Sequence, residues 1–228
     1  MPFDLELLKK EVSRKAIHMS GFIIPLAYYF FIPKDYMILI LGLGVVVAGS
    51  LELIRISGHR LFPALLLRGH EKGGTIAGYF YALVSSFMAV LLFDKSIAVA
   101  AILFLDLGDG LVGIAGAILS MYEGADRAKI RAYSAVKQKI CFRSVKDELV
   151  YSITHYKSPL LMVAMFITCS FIGFAFYPVL ALPVIVAGAL GAVVADAFPW
   201  RFANFTLDDN LSIPILSGIL MSLTALLL

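Results

Sequence analysis

Long apolar runs dominate the chain, and short clusters of charged and turn-forming residues separate them. Seven runs stand out: Ala16 to Ile32, Tyr36 to Ile54, Thr75 to Phe93, Ser96 to Met121, Pro159 to Tyr177, Val179 to Phe198 and Leu211 to Leu228. A helix crosses a hydrocarbon core about 30 Å thick with roughly 20 apolar residues, so runs of this length predict spanning helices. The pattern therefore predicts an all-α polytopic membrane protein with about seven transmembrane helices. Residues 1–228 are expected to form one integral-membrane domain.

Composition points the same way. Of 228 residues, 61% are hydrophobic and 15% charged, and the mean hydropathy is +0.91, outside the usual range of soluble domains. A net charge of +3, scattered along the chain, is too small to suggest a nucleic-acid partner. Two cysteines, Cys141 and Cys169, build neither a disulfide framework nor a cysteine-rich zinc site and read as packing residues. The opening MPFDLELLKKEVSRK lacks a small-residue cleavage pattern, so the first span is expected to be retained.

Charge orients the spans. Lys9, Lys10, Arg14, Lys15, Arg55, Arg60, Arg68, Lys72, Arg201 and the bases between Arg127 and Lys157 fall on one side, against Lys34 and Lys95 on the other. The positive-inside rule then places the N-terminus in the cytoplasm and the C-terminus outside. Lys34, Asp35, Asp94 and Lys95 read as simple loop charges. The segment 122–157 is the one long hydrophilic stretch, with eight basic and four acidic side chains. Ile130, Tyr133, Val136, Ile140, Val145 and Leu149 recur through it at helical spacing. It reads either as a cytoplasmic amphipathic helix on an anionic membrane surface or as a solvated basic loop.

Ionisable residues at membrane depth are costly unless a partner or a function compensates them, so they mark the candidate site. Glu11, Arg14, Lys15 and His18 share one helical face where the first span begins, a cationic face suited to phosphate. Glu52 and Arg55 sit three apart at the end of the second span, as an ion pair or as part of the site. Arg68, Glu71 and Lys72 precede Gly73-Gly74.

The richest segment is FLDLGDGLVGIAG, residues 104–116. There Asp106 and Asp109 lie three apart in an otherwise apolar run, beside Gly108, Gly110, Gly113 and Gly116. Two carboxylates within lipid thickness call for a cation, and oxygen ligands favour magnesium bridging to phosphates. The glycines admit backbone close to those phosphates, or else serve helix packing. Asp196 ends the sixth run, and Asp208-Asp209-Asn210 precede the seventh; one of the two adjacent acids is expected to cap that helix. Lys157-Ser158 offers a further ammonium for a phosphoryl group.

Taken in order, RKAIH (Arg14 to His18), LELIR (Leu51 to Arg55), LRGHEKGG (Leu67 to Gly74), LDLGDG (Leu105 to Gly110), KS (Lys157-Ser158) and DDNLSIP (Asp208 to Pro214) resemble the dolichol kinase and phytol kinase family. That family includes CTP-dependent diacylglycerol kinases and phosphorylates lipid alcohols in membranes. The resemblance implies transfer of the terminal phosphoryl group of CTP to a polyprenol, dolichol or shorter isoprenol, with Mg2+ as cofactor and CTP as co-substrate. It implies Asp109, Lys157 and Asp209 as catalytic residues. Arg14, Lys15, His18, Gly108, Gly110, Lys157 and Ser158 would bind nucleotide, and Asp106, Asp109, Asp208 and Asp209 metal, with Glu52, Arg55, Glu71, Asp196 and Asn210 as further candidates. The chain departs from the family in two places: Lys157-Ser158 runs into Pro159-Leu160 instead of Glu-Gly, and the span-six acid is Asp196 where the family usually has glutamate. So short a chain suits a prokaryotic cell membrane, with the site on the cytoplasmic face.

Three other readings use the same residues. Asp106-x-x-Asp109-Gly110 opens like the CDP-alcohol phosphotransferase motif, but Gly113-Ile114 stands where that motif has Ala-Arg. A phosphatidate cytidylyltransferase would share nucleotide and metal. A small cation- or proton-coupled transporter would use Asp106 and Asp109 as its coupling site, yet the outer halves of these spans supply almost no polar groups.

Overall fold

The computed structural model describes residues 5–57, 75–122, 145–202 and 205–228. All seven apolar runs are helical. The first is interrupted: α1 (Leu5–Met19) passes through a 3₁₀ turn (Ser20–Phe22) into α2 (Ile23–Phe30). Then come α3 (Lys34–Ile56) and α4 (Gly78–Leu92). The fourth run is continuous but not uniform, with α5 (Lys95–Leu103), a π-turn (Phe104–Asp109) and α6 (Gly110–Tyr122). After α7 (Val145–Thr154) follow α8 (Pro159–Phe174) and α9 (Leu182–Ala197). A two-residue antiparallel pair, Arg201–Phe202 with Phe205–Thr206, leads into α10 (Asp209–Leu226).

Among the described residues, three helices are long and apolar enough to cross a membrane: Lys34–Ile56, Lys95–Leu119 and Asp209–Leu226. Gly78–Leu92, Pro159–Phe174 and Leu182–Ala197 are shorter apolar helices. The α5–α6 rod is the axis of the bundle. It packs against α1, α2, α4, α8 and α10, and 78% of its apolar window is buried, against 17% for α3. Composition explains the contrast. Residues Ile97 to Leu103 are apolar on every side and include Ala98, Ala100 and Ala101, so neighbouring helices approach closely all round. The core gathers about this rod, with Tyr28, Phe104, Leu105, Met165, Ile185, Ile213 and Met221 almost fully enclosed.

The charges at the other end of the bundle are more than loop charges. Lys34 Nζ donates to the carbonyl of Phe93 at 2.9 Å, and Lys95 Nζ donates to that of Ile32 at 3.2 Å while lying over the Tyr28 ring. Each ammonium thus meets carbonyls exposed at a neighbouring helix C-terminus, where the helix dipole favours a cation. These reciprocal caps tie the α2–α3 turn to the α4–α5 turn.

Residues 123–144, and with them most of the basic amphipathic pattern, lie outside the described residues. The described part, α7, turns polar side chains inward: Glu148 and Ser152 are buried, and Ser152 Oγ donates to the carbonyl of Pro199 at 2.8 Å. Val150 and Ile153 are exposed. Only Val145 and Leu149 of the expected apolar stripe fall within this helix.

Candidate functional site

Charged side chains from distant parts of the chain converge on the end of the π-turn. Lys15, on α1, is buried, and its ammonium donates to Asp109 Oδ2 at 2.5 Å and to the Asp109 carbonyl at 3.2 Å. His18, one turn on, brings Nε2 within 3.8 Å of the same carboxylate oxygen. Lys157, just before α8, pairs with Asp196 of α9 and lies 3.9 Å from Asp209 Oδ2 of α10. Asp109, Asp196 and Asp209 each offer an oxygen, all within 4.8 Å of one another.

The glycines of residues 108–116 make this convergence possible by packing, one of the two roles the sequence left open for them. A Cβ on Gly113 would stand 2.7 Å from Lys15 Nζ, one on Gly110 2.9 Å from Met19 Sδ, and one on Gly108 2.9 Å from Cys169 Sγ. Protein side chains already fill the space beside them. Gly113 in particular lets the Lys15 stem lie flat on α6 and deliver its ammonium to Asp109.

Other candidates separate by position. Asp208 is the N-cap of α10, its carboxylate accepting from the Asn210 backbone N–H at 3.0 Å. The group of three carboxylates that could share a cation does not include it. Asp196 takes its place in the triad. Asp106 also lies outside the triad; its carboxylate faces Gly21, whose Cβ, were there one, would be 3.3 Å from both oxygens. It is buried and has no hydrogen-bond or ion-pair partner among the described residues. Arg14 is half-buried beside Lys15 on α1, and Ser158 is exposed ahead of α8. Glu71 and the Glu11 side chain lie outside what is described.

Glu52 and Arg55 form a separate, saturated knot. Arg55 Nε and Nη2 reach Glu52 Oε2 and Oε1 at 2.9 and 2.6 Å, and the Ala77 N–H and Tyr79 hydroxyl donate to the same carboxylate at 2.6 and 2.7 Å. Arg55 also donates to the Thr75 carbonyl at 2.5 Å. The knot ties the end of α3 to the start of α4. Asn210 donates its side-chain amide to the Gly78 carbonyl at 3.1 Å, and its own carbonyl accepts from Ser85 Oγ at 2.7 Å, so it joins α10 to α4.

Sequence reasoning ranked Asp196 low and did not single out Gly21, Ala77 or Tyr79. The signal for Asp196 was present, an acid closing an apolar helix, but only packing shows which other acids it meets. The donor set suits a hard divalent cation: two buried carboxylates and one half-buried, oxygen ligands only. Among the described residues the carboxylates of Asp109, Asp196 and Asp209 meet the ammoniums of Lys15 and Lys157 and the imidazole of His18. No protein-family model matches the chain, and no curated protein and no solved structure matches it significantly.

Proposed function

We propose that this protein is a multi-pass membrane kinase of the dolichol and phytol kinase type. It spans the bilayer seven times, with the N-terminus and the site on the cytoplasmic side, and transfers the terminal phosphoryl group of CTP to a lipid alcohol. One observation supports the reading: among the described residues, three carboxylates, two ammoniums and an imidazole from distant parts of the chain meet within or beside apolar helices. Asp106, buried beside them and without a hydrogen-bond partner among the described residues, brings a fourth carboxyl group. Such an arrangement is expensive inside a bilayer without a cationic ligand or a reaction to serve.

Phosphoryl transfer requires in-line positioning and neutralised charge more than covalent help from the protein. A magnesium ion, held by Asp109, Asp196 and Asp209, would supply charge neutralisation at the β- and γ-phosphates. Lys15 and Lys157, which pair with these carboxylates, would donate to phosphoryl oxygens, with Arg14 flanking Lys15 on α1. The alcohol oxygen bonds to the terminal phosphorus as the bond from that phosphorus to the nucleotide diphosphate breaks, and the hydroxyl proton passes to a carboxylate. The lipid keeps its tail in the bilayer and brings only its hydroxyl to the cluster.

The test is a transfer assay on detergent-purified protein with gamma-labelled CTP or ATP, magnesium, and a panel of polyprenols, geranylgeraniol, phytol and diacylglycerol. Label in a lipid monophosphate is the expected result and names donor and acceptor together. Label passing only from alpha-labelled CTP into lipid when phosphatidate is supplied would replace the kinase with a cytidylyltransferase. Silence in both would favour a transporter.

A further inference from the structure

The short helix α7 is polar toward the protein and partly apolar away from it. Glu148 and Ser152 are buried, Ser152 Oγ donates to the Pro199 carbonyl just past the end of α9 at 2.8 Å, and the helix packs on the Arg201–Phe202 strand. Val150 and Ile153 are more than half exposed, and Asp147 and Thr154 are exposed as well. Residues advance by about 100° around a helix, so these side chains fall into three sectors. Glu148 and Ser152 face the protein. Next around the helix come Ile153 and then Val150 as an apolar edge, and Thr154 and Asp147 follow as a polar one. Protein and water account for two of these sectors; the apolar edge is left over.

Two exposed aliphatic side chains are ordinary by themselves, but the chain that follows supplies a third medium. α8 buries Met165, Cys169 and Gly173 and exposes Leu160, Val163, Ile167, Phe171 and Phe174, three or four residues apart. That apolar face is turned to whatever surrounds the bundle. Its first member, Leu160, comes four residues after Tyr156, itself more than half exposed, and Tyr156 comes three after Ile153. Aromatic rings gather at this junction. Tyr156 lies 6.4 Å from Phe198 and Phe198 5.9 Å from Trp200, ring centre to ring centre, and Trp200 Nε1 donates to the Val194 carbonyl at 3.1 Å. Rings with a polar edge are enriched where a membrane meets water. Lys157 is fixed at the same place, its backbone N–H donating to the Ala197 carbonyl at 2.9 Å and its ammonium pairing with Asp196.

We propose that α7 docks on the bilayer surface, with the Ile153–Val150 edge in the boundary between lipid headgroups and acyl chains, Glu148 and Ser152 holding the helix to the end of α9, and Thr154 and Asp147 turned to water. The partner is the lipid bilayer, and the edge is continuous along the chain with the apolar face of α8. This docking rests on the multi-pass reading above, in which α8 spans the membrane. It uses other residues than the stripe expected from Ile130 to Leu149, because the polar groups Glu148 and Ser152 face protein instead of water. A docked α7 brings the chain into α8, and Lys157 with it, at the level of the headgroups.

The experiment places nitroxide labels on single cysteines of the full chain in phosphatidylcholine nanodiscs, with Cys141→Ser in the background and the buried Cys169 left in place. Power saturation compares access by oxygen, which partitions into lipid, with access by a nickel chelate, which stays in water. Labels at Ile153→Cys and Val150→Cys are expected to give an oxygen-to-nickel ratio at least about tenfold above labels at Thr154→Cys and Asp147→Cys, as for side chains sunk into the headgroup–acyl boundary. Equal ratios at all four positions would place the whole outer side of α7 in water and overturn the docking. Labels at 150 and 153 shielded from both reagents would also overturn it, since another part of the chain or a second copy would then cover the edge. Ile167→Cys on α8 separates this docking from the reading beneath it. A label there that reads as water sinks the α8 span, whereas one that reads as lipid while 150 and 153 do not keeps the span and sinks the docking.

Discussion

Two buried acid–base groups lie near the same end of the bundle, and they are built to different ends. At Glu52 the arithmetic closes. One carboxylate meets one guanidinium, and Arg55, Ala77 and Tyr79 supply four donors between 2.6 and 2.9 Å, as many as a carboxylate has lone-pair positions. At Asp109 it does not. Among the described residues, three carboxylates with oxygens drawn within 4.8 Å of one another meet two ammoniums, and the buried Asp106 has no hydrogen-bond partner there. A buried ion pair with every valence filled fixes geometry, whereas like charges crowded together demand a ligand. Burial and charge alone would rank the two groups alike; the balance of donors and acceptors tells them apart.

That contrast is open to direct attack. The largest effect is expected from Asp109→Asn, which removes the charge at the centre of the cluster but keeps its shape. Transfer of gamma label should fall by a factor of at least about 10³, equivalent to about 4 kcal/mol, with helicity and detergent elution unchanged. Retained activity in that folded variant would remove the cluster from the chemistry. Glu52→Ala should do the opposite. It leaves Arg55 buried without its partner, at a cost of about 3–5 kcal/mol, so thermal unfolding in detergent should shift markedly downward while the fraction that stays folded keeps its specific activity within a factor of three.

Smaller effects sharpen the distinction. Lys157→Met withdraws an ammonium that competes for the same oxygens as a cation. Isothermal titration with Mg2+ or Mn2+ should show tighter binding, by about fivefold or roughly 1 kcal/mol, even as transfer drops. Weaker cation binding in that variant would count against the carboxylate triad as the metal's place. The smallest change belongs to Asp208→Ala, which removes the α10 cap. A loss of about 1 kcal/mol in stability is expected, with no change in Mg2+ affinity; a change there would return Asp208 to the ligand set.

Much of the helical layout was legible from the pattern of apolar runs, because hydrophobic periodicity is a local property of the chain. Each of the seven runs is helical, and the α3 and α10 boundaries fall within two residues of those expected. The interruptions were not legible. Nothing in SGF or FLDLGD marks a 3₁₀ or π-turn, since both depend on what packs against the helix. The glycines of residues 108–116 read either as room for phosphate or as packing positions, and only the packed structure shows Lys15, Met19 and Cys169 where side chains at Gly113, Gly110 and Gly108 would stand. Asp208 and Asp209 were indistinguishable in the sequence, and the register of α10 assigns one to the cap and the other to the cluster.

The sequence by itself determined that this chain makes apolar helices, and that Asp106, Asp109 and Asp196 fall within or at the end of them, for both follow from the order of side chains along one dimension. Which charges meet was left to the tertiary structure. Lys15 and Asp109 are 94 residues apart and Lys157 and Asp196 are 39 apart, so their pairing depends on the rotation and depth of helices packed on a common axis. Small residues on that axis, Gly108 and Gly113 above all, set how closely the neighbours approach. The physical reason is separation of scales: burial of apolar surface selects helices one at a time, while the meeting of charges is decided only when all of them pack together.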